Sequence, residues 1–244
     1  MTALAARRLG PLVVRSGPGE TVVGEVVAAV REHRALRLAF ANTHLLYCAA
    51  RDAAFAHELD NFFIVNDGLG VDILSQIATG QRFQENLNGT DLTPRIIEAL
   101  PAGTRLFLLG GRPEVAQRTA AVIARRWPHV DVCGVRDGYG RPEQAIADIE
   151  RAKPDLVLVA MGNPLQERLI SECSRRIGAV FIGVGALFDF LAGAMPRAPE
   201  SWRRMRLEWL YRLSREPRRL WRRYTVETVV LAAMIFRERL TRRA

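Results

Sequence analysis

An Asp-Gly pair follows a short apolar run about a quarter of the way along the chain. The run is Phe62 to Val65 in the string FFIVNDGLGVD, and Asp67 stands just beyond it. Apolar runs of this length that end at a glycine turn are typical of buried strands, which places Asp67 where a strand surfaces at the edge of a sheet. In open α/β sheets ligands bind at that edge, so this carboxylate is a candidate ligand contact. The alternative is a turn in which Asp67 hydrogen-bonds its own backbone.

Three glycine turns are further candidate ligand contacts, because each leads into a helix N-terminus. There, free backbone N–H groups and the helix dipole favour the binding of phosphate. The three turns are GGRPEV with Gly111, GNPLQE with Gly162 and GVGALF with Gly185. None completes the dinucleotide or P-loop consensus. The chain also has no D-x-D motif, so a carboxylate pair for magnesium is not apparent. A diphosphate bound here would be met by backbone amides and arginines.

The elements that must position these residues alternate along the chain. The strand candidates are mostly continuous apolar runs, as in parallel strands covered on both faces, and they span residues 35–43, 61–67, 105–111, 131–138, 155–162 and 179–186. Helical patterns lie between them, at residues 44–59, 91–100, 113–127 and 142–152. The alternation predicts right-handed βαβ units and an α/β fold, a Rossmann-like, mostly parallel sheet with helices on both faces.

The net charge of +9 is concentrated near the C-terminus. Residues 1–196 hold 21 basic and 21 acidic side chains, whereas residues 197–244 hold 14 basic and 5 acidic ones. We therefore predict a Rossmann-like domain over residues 1–196 and an Arg-rich helical appendage over residues 197–244. The apolar residues from Trp202 to Leu213 recur at helical spacing, and Pro217 should begin another helix.

Basic helices with interleaved aromatic residues suit an anionic bilayer surface, and nucleic acid would also accept them. The alternative is a helical hairpin docked on the domain through its tryptophans. The longest apolar run of the appendage, at residues 229–236, is far short of the ~20 residues of a membrane-spanning helix. The three scattered cysteines and the absence of an apolar leader at the start of the chain indicate a protein of the cytoplasm, without a disulfide framework or a zinc site.

Several ordered strings carry a resemblance to one family. They run from about Phe40 into the final helix and include NDGLGVD, NGTDL, FLLGGRPEVA, DLVLVAMGNPLQE, GVGALFDFLAGAMPRAP and LEWLYRLSREPRRLWRRY. This series resembles the WecG/TagA/CpsF family of bacterial glycosyltransferases. The resemblance implies transfer of a sugar from a UDP-sugar donor to a polyprenyl-diphosphate-linked saccharide, in the making of teichoic acid, common antigen, capsule or exopolysaccharide. It also implies inversion at the anomeric carbon, no metal and no cofactor.

The resemblance assigns roles to individual residues. Asp67 becomes the catalytic base, and Asn42 and Gln166 line the same pocket as hydrogen-bond donors and acceptors. Where family members often have a threonine this chain has Phe40, so a hydroxyl of the family pocket is absent here unless Thr43 supplies it from a neighbouring position.

The remaining implied contacts lie further along the chain. Thr90 and Asp91 either contact substrate or form an N-cap pair for a helix beginning at Leu92. The appendage would pack over the pocket as a lid and supply phosphate-binding arginines, Arg212, Arg219 and Arg222.

Some alternatives stay open at this point. UDP-glucose, UDP-N-acetylmannosamine and its uronic acid are all compatible donors, because the pocket hydroxyls that discriminate them differ from the family pattern. The resemblance further implies a protein held at the inner face of the plasma membrane by its appendage, forming homo-oligomers. A Rossmann oxidoreductase should contain the G-x-G-x-x-G sequence of dinucleotide-binding turns, which this chain lacks. A non-catalytic protein that binds nucleic acid or membrane through its basic tail is the main rival, although a neutral domain is poorly suited to nucleic acid.

Overall fold

The computed structural model describes residues 4–205 and 207–241, and for Arg203, Arg204 and Arg219 it describes the backbone alone. Eight strands lie within these residues: β1 (Ala5–Leu9), β2 (Leu12–Ser16), β3 (Leu36–Ala41), β4 (Phe63–Asn66), β5 (Arg105–Gly110), β6 (Asp131–Arg136), β7 (Leu156–Ala160) and β8 (Val180–Gly183). They form one sheet in the order β1-β2-β4-β3-β8-β7-β5-β6. β1 and β2 are antiparallel, while the pairs β2–β4, β3–β8, β8–β7, β7–β5 and β5–β6 are parallel. The predicted α/β class with a mostly parallel sheet is confirmed.

Helices follow most of the strands. In chain order the described helices are α1 (Gly19–Arg31), α2 (Thr43–Arg51), α3 (Ala53–Leu59), α4 (Leu69–Thr79), α5 (Gly89–Ala99), α6 (Pro113–Arg126), α7 (Pro142–Ala152), α8 (Leu165–Cys173), α9 (Leu187–Leu191), α10 (Glu200–Arg204), α11 (Glu208–Arg215), α12 (Pro217–Tyr224) and α13 (Val226–Thr241). Three of them, α6, α7 and α12, begin with a proline. Proline lacks a backbone N–H, and this costs nothing at the start of a helix, because an N–H there would have no intrahelical partner. The predicted starts of these helices are confirmed.

Two predicted helical stretches are interrupted. The pattern over residues 44–59 was predicted as one helix and is two, because Asp52 has an extended backbone and its Oδ1 accepts a hydrogen bond from the Phe55 N–H at 3.0 Å. Aspartate in that role is a strong N-cap, so it starts α3 afresh. The helical spacing from Trp202 to Leu213 is likewise shared between α10 and α11.

Close packing divides the chain into two units, and each is described by itself. The first unit consists of the N-terminal hairpin, Phe40–Asn88 and the residues from Arg197 onward. Its long helix α13 packs on α2 and α4, with Leu231 and Ile235 buried. The C-terminal helices therefore belong to the same unit as Asp67.

The second unit consists of Gly19–Ala39 and Gly89–Pro196. Its central strands β7 and β8 are buried along their whole length, which explains why they read as continuous apolar runs in the sequence. At the end of α6 the Trp127 ring is buried, and its Nε1–H donates to Glu98 Oε2 on α5 at 2.6 Å. This hydrogen bond satisfies the indole N–H inside the core.

Gly110, at the end of β5, has no room for a side chain. Its φ is +130°, and a Cβ built there would overlap the carbonyl oxygen of Ala160 on β7. We expect Gly110→Ala to lower the free energy of unfolding by about 3 kcal/mol, since left-handed strain and overpacking each cost about 1–3 kcal/mol. Urea denaturation followed by circular dichroism measures the change.

The matched control is Gly24→Ala in α1. Gly24 is exposed inside the helix, and a Cβ there would meet nothing within 4 Å. This variant should raise the free energy of unfolding by about 0.5–1 kcal/mol, because glycine is a poor helix former. Equal destabilisation by both variants would contradict the assigned cause.

Candidate active site

Asp67 lies at the carboxyl end of β4, as the sequence predicts. Its N–H donates to the carbonyl oxygen of Ala41, the last residue of β3, at 2.8 Å, which fixes the backbone at this edge. The residue is half-buried. Asn66, immediately before it, is fully buried, and its Nδ2 donates to the Glu85 carbonyl oxygen at 2.8 Å. The carboxylate therefore projects from a backbone that is held on both sides.

The turn after Asp67 depends on a side chain from another loop. Gly68 has a φ of +89°, a conformation that glycine adopts without strain. Its N–H donates to Asn86 Oδ1 at 2.7 Å, and α4 begins at the next residue. Asn86, which lies outside β4 and α4, therefore holds the turn at Gly68. Strand β4 and this turn together fix the position of Asp67.

Asn42 and Thr43 lie at the start of α2, and both have local structural contacts. Asn42 is the N-cap, with its Oδ1 accepting from the Leu45 N–H at 3.0 Å. Thr43 is buried, and its Cγ2 lies so close to Gly70 of α4 that a Cβ there would be 2.5 Å away. The predicted substrate contacts of Asn42 and Thr43 stay predictions.

His44, also in the first turn of α2, connects this helix to α13. Its Nδ1 lies 2.6 Å from Glu227 Oε2, and its Nε2 lies 3.8 Å from the Cys48 sulfur. Both members of the His44–Glu227 pair are mostly buried. Sequence reasoning missed this pair, because the two residues are far apart along the chain.

The arginines of the C-terminal helices differ sharply in environment. Arg222 is exposed and Arg212 is half-buried, while the side chain of Arg219 lies outside the described residues. Arg223 is the arginine that the sequence analysis missed. Burial is the largest influence on the pKa of Arg223 and lowers it, and Arg212 lowers it further, whereas Tyr224, Asp67 and Glu227 raise it.

The sequence did contain a signal for Arg223. Leu220 is buried on α12, and residues three positions apart share a helix face, so Arg223 lies on the buried side. Arg222, two positions from Leu220, points elsewhere and is exposed. An edge-to-face ring pair, Trp209 with Tyr224 at 5.8 Å between centroids, holds α11 against α12 on the same side.

Gln166 belongs to the second unit and is a buried hydrogen-bond hub. Its Oε1 accepts from the N–H groups of Gly162 at 3.1 Å and Gly185 at 3.0 Å, which joins the loops after β7 and β8. Its Nε2 donates to Glu167 Oε1 at 2.7 Å. Gly183 lies beneath the amide, where a Cβ would be 2.7 Å from Nε2. The side chain thus has a structural function, and its predicted contact with substrate stays a prediction.

In each of the three glycine turns, one backbone N–H already donates a hydrogen bond within the protein. Gly162 and Gly185 donate to Gln166, and Gly111, with a φ of +68°, donates to the Ala160 carbonyl oxygen at 3.0 Å. Phosphate binding at these loops would therefore use other N–H groups. The prediction that the loops of Gly111, Gly162 and Gly185 bind phosphate stays a prediction.

Thr90 and Asp91 lie within the first turn of α5, which begins at Gly89 rather than at Leu92. Their interpretation as an N-cap pair is wrong, because the helix has already begun. Asp91 is exposed in the first turn, where a carboxylate interacts favourably with the helix dipole. The alternative, contact with substrate, stays a prediction.

A small pocket opens at the carboxyl ends of β5, β6 and β7 in the second unit. Its volume is about 190 Å³, and its lining includes Leu109, Met161, Leu165, Leu169, Arg168 and Tyr139. Tyr139 is 67% exposed, and its N–H donates to Asp137 Oδ1 at 2.8 Å, which forms a local turn in the loop that carries the ring. The sequence analysis missed this aromatic residue.

The pocket lies at a topological switch point. β6 and β7 flank β5 on opposite sides, so right-handed crossovers carry α6 and α7 to opposite faces of the sheet. Ligands of open α/β sheets bind in the crevice that this reversal creates.

The three cysteines are free thiols. Burial raises the pKa of Cys133, and it raises the pKa of Cys173 to about 12, so both thiols are protonated near neutral pH. Across the described part of the chain no group of three or more His, Cys, Asp or Glu side chains could hold a metal ion. Nor do residues 4–205 and 207–241 include a helix long and apolar enough to cross a membrane.

A comparison with protein families gives one match over almost the whole sequence. The family is described as the glycosyl transferase WecG/TagA/CpsF family, and its match extends over residues 11–244. The matched range contains the strand end of Asp67, the Gln166 hub and the arginine-bearing C-terminal helices.

Proposed function

The chain belongs to the WecG/TagA/CpsF family of glycosyltransferases, and we propose that it is an inverting, metal-independent enzyme of bacterial surface polysaccharide or exopolysaccharide synthesis. The donor is a UDP-sugar that carries a hexose or N-acetylhexosamine. The acceptor is a saccharide linked to polyprenyl diphosphate. The family assignment supports the transfer of a sugar, and the contacts around Asp67 support the chemistry proposed for it.

The observation that carries the proposal is the carboxylate of Asp67 in one unit with a cluster of arginines. Asp67 accepts the proton of the acceptor hydroxyl as that oxygen attacks the anomeric carbon. The bond from this carbon to the diphosphate breaks on the opposite side, and UDP leaves with the bonding electrons. Arginine is suited to the leaving diphosphate, because its planar fork of donors stays charged and matches phosphate oxygens. Arg212 and Arg223 belong to the same unit as Asp67, and Arg212 and Asp67 both influence Arg223 electrostatically.

The pocket at Tyr139 supports a nucleotide-linked donor. A planar base would pack on the exposed Tyr139 side chain, and Leu109 and Met161 add apolar lining to the same pocket. Arg168 also belongs to the lining. Neither a purely lipid-binding nor a purely DNA-binding protein requires an aromatic pocket at this switch point.

The outer face of α13 supports association with a membrane surface, where a polyprenyl-linked acceptor resides. Exposed apolar residues recur along it at helical spacing, namely Val226, Val229, Val230, Phe236 and Leu240. Trp221 on α12 is 53% exposed, and the basic residues around it suit anionic headgroups. The enzyme in this proposal is peripheral and binds the cytoplasmic leaflet.

Phe236→Glu should weaken binding to vesicles that contain anionic lipid by about tenfold or more. The ring is 52% exposed on the apolar face, and burying a phenylalanine contributes about 1.5–3 kcal/mol. Sedimentation of the full chain with vesicles over a salt series measures the change. Ile73→Glu on α4, a residue with 43% exposure, is the control and should bind as the wild type does. Tighter binding to duplex DNA than to vesicles in the same salt series would favour the nucleic-acid alternative.

Release of UDP tests the proposed activity. Purified enzyme is incubated with UDP-glucose, UDP-N-acetylmannosamine or its uronic acid, with and without a short-chain polyprenyl-diphosphate saccharide, in the presence and absence of EDTA. Acceptor-dependent release that persists in EDTA supports the proposal and identifies the donor. Activity that EDTA abolishes and Mg²⁺ restores would contradict the metal-independent mechanism, and the absence of both release and UDP binding would contradict the proposed donor.

A further inference from the structure

Cys48 lies in α2, next to an imidazole on the same face of the helix. His44 precedes it by four residues, a spacing that places two side chains on one helix face. The Cys48 sulfur lies 3.8 Å from His44 Nε2. A thiol is a weak hydrogen-bond donor, and the unprotonated nitrogen of an imidazole is an acceptor. A base that can take the thiol proton is therefore in contact with the thiol.

Glu227, in the first turn of α13, holds this imidazole in place. Its Oε2 lies 2.6 Å from His44 Nδ1, and the side chains of Glu227 and His44 are only 12% and 23% exposed. A carboxylate accepts hydrogen bonds and donates none, so the Nδ1 proton belongs to this contact and Nε2 is left as the acceptor that faces sulfur. The negative charge of Glu227 also lies next to the positive charge that the ring acquires when it takes a proton. The three side chains are thus arranged in the order carboxylate, imidazole, thiol.

This arrangement activates a sulfur nucleophile, because the thiolate is the reactive form and a neighbouring base generates it. Cys48 is half-buried, so a small reagent can reach it. The other two cysteines provide a contrast within the same chain. Cys133 is half-buried as well and Cys173 is buried, and burial raises the pKa of both thiols. Reaction with a thiol reagent near neutral pH should therefore select Cys48.

The His44–Glu227 contact lies where α2 packs on α13. Because Cys48 and His44 share a helix face, a group attached to the sulfur would lie beside this contact. The other end of α13 has a separate anchor, in which Arg239 Nη1 donates to the Ile77 carbonyl oxygen of α4 at 2.6 Å. An added group at Cys48 should therefore displace the start of α13 more than its end.

We propose that Cys48 is a modification site, a reactive thiol that forms mixed disulfides with low-molecular-weight disulfides and thereby loosens the start of α13 from α2. His44 Nε2 takes the thiol proton, and the thiolate attacks one sulfur of the disulfide R–S–S–R. A bond from Cys48 to this sulfur forms as the S–S bond of the reagent breaks. The leaving thiolate keeps the electron pair and takes the proton from the imidazolium. Cys48 is thus oxidised to a mixed disulfide while one thiol, RSH, is released, and no step depends on sugar transfer.

The first measurement is the reaction of the full chain with dithiodipyridine, an uncharged disulfide whose released product absorbs light. Near neutral pH Cys48 should react at least about tenfold faster than Cys133, because the rate of exchange follows the thiolate fraction. Mass spectrometry of peptides identifies the cysteine behind each phase, and Cys48→Ser should lack the fast phase. A Cys48 that reacts no faster than Cys133 would overturn the inference.

The role of the imidazole is tested in His44→Gln, which keeps a hydrogen-bonding side chain at this position. The reaction of Cys48 should slow by about tenfold or more, because the base that generates the thiolate is lost. The matched control is His57→Gln, since His57 is an exposed histidine whose Nδ1 contacts the Asp60 carboxylate at 3.0 Å. This variant should react as the wild type does. An unchanged or faster reaction in His44→Gln would show that the imidazole only shields the sulfur, and would overturn the activation.

Glu227→Gln is the second variant, and it replaces His44→Gln if circular dichroism shows that the latter does not fold. The amide can still accept from His44 Nδ1 but brings no negative charge, so the reaction of Cys48 should slow severalfold. Glu238→Gln, at an exposed position further along α13, is the control and should keep the wild-type rate. An unchanged rate in folded Glu227→Gln would overturn the part assigned to the carboxylate.

Hydrogen exchange followed by mass spectrometry tests the effect on α13. The full chain is compared before and after modification by one equivalent of dithiodipyridine. Amides near Glu227 should exchange faster in the adduct, whereas amides near Arg239 should change little, because exchange reports local opening. Reduction with dithiothreitol should restore the original pattern, and Cys48→Ser treated in the same way should show no change. Rapid formation of the adduct with unchanged exchange in α13 would overturn the proposed loosening of this helix.

Discussion

Asp67→Asn should lower kcat by about 10²–10⁴-fold, the range that a positioned general base contributes. The amide has the shape of the carboxylate but cannot take the proton of the acceptor hydroxyl. The backbone of this residue is held by the Ala41 carbonyl oxygen and by the turn at Gly68, so the fold should persist. The affinity for UDP should change little, because the carboxylate acts on the acceptor. Steady-state kinetics of UDP release and titration calorimetry with UDP give the two quantities.

The control for this variant is Asp60→Asn. Asp60 is an exposed aspartate at the end of α3, and it should retain wild-type kcat and KM. An Asp67→Asn enzyme with a kcat close to that of the wild type would indicate that Asp67 is only a turn residue and not the base. A variant that loses UDP binding together with kcat would instead indicate that Asp67 contacts the donor.

Gln166→Ala should lower the free energy of unfolding by about 3–5 kcal/mol. The change removes one acceptor shared by the Gly162 and Gly185 N–H groups and one donor to the buried Glu167. Each buried polar group that loses its partner costs about 1–3 kcal/mol. Urea denaturation measures the loss of stability, and activity should fall as well, because the loops after β7 and β8 lose their common anchor.

Gln117→Ala is the control for this prediction, since Gln117 is an exposed glutamine on α6 and its truncation should change stability by less than about 0.5 kcal/mol. A Gln166→Ala enzyme of normal stability that has lost only donor affinity would show that contact with substrate outweighs the structural function. A large loss of stability with normal KM would show the reverse.

The main strands could be predicted because their physical signal is strong. β7 and β8 are buried throughout, so nothing interrupts their apolar runs. The hairpin of β1 and β2 was not predicted, since its strands are short and carry exposed and half-buried arginines. Leu12 and Val14 alternate with more exposed residues beyond a turn with Gly10 in the left-handed region. That alternation is the signal for a strand with one buried face.

The candidate site was only partly accessible from sequence. Asp67 could be found, because a polar triplet directly after an apolar run marks the end of a strand. To decide whether Arg222 or Arg223 lies on the buried side of α12, one must know which face of that helix is buried. Leu220 alone indicates that face. The pairing of His44 with Glu227 could not be inferred, because a contact between residues so distant along the chain follows from packing rather than from local spacing.

The composition of the first unit has a consequence for how the protein is made. Its segments come before, between and after those of the second unit along the chain, and every segment of the second unit has been synthesised by Pro196. On the ribosome the second unit is therefore available for folding first, and the segment from Arg197 onward completes the unit of Asp67 only afterwards. A nascent chain that has reached only Pro196 would lack the arginines proposed to receive the leaving group.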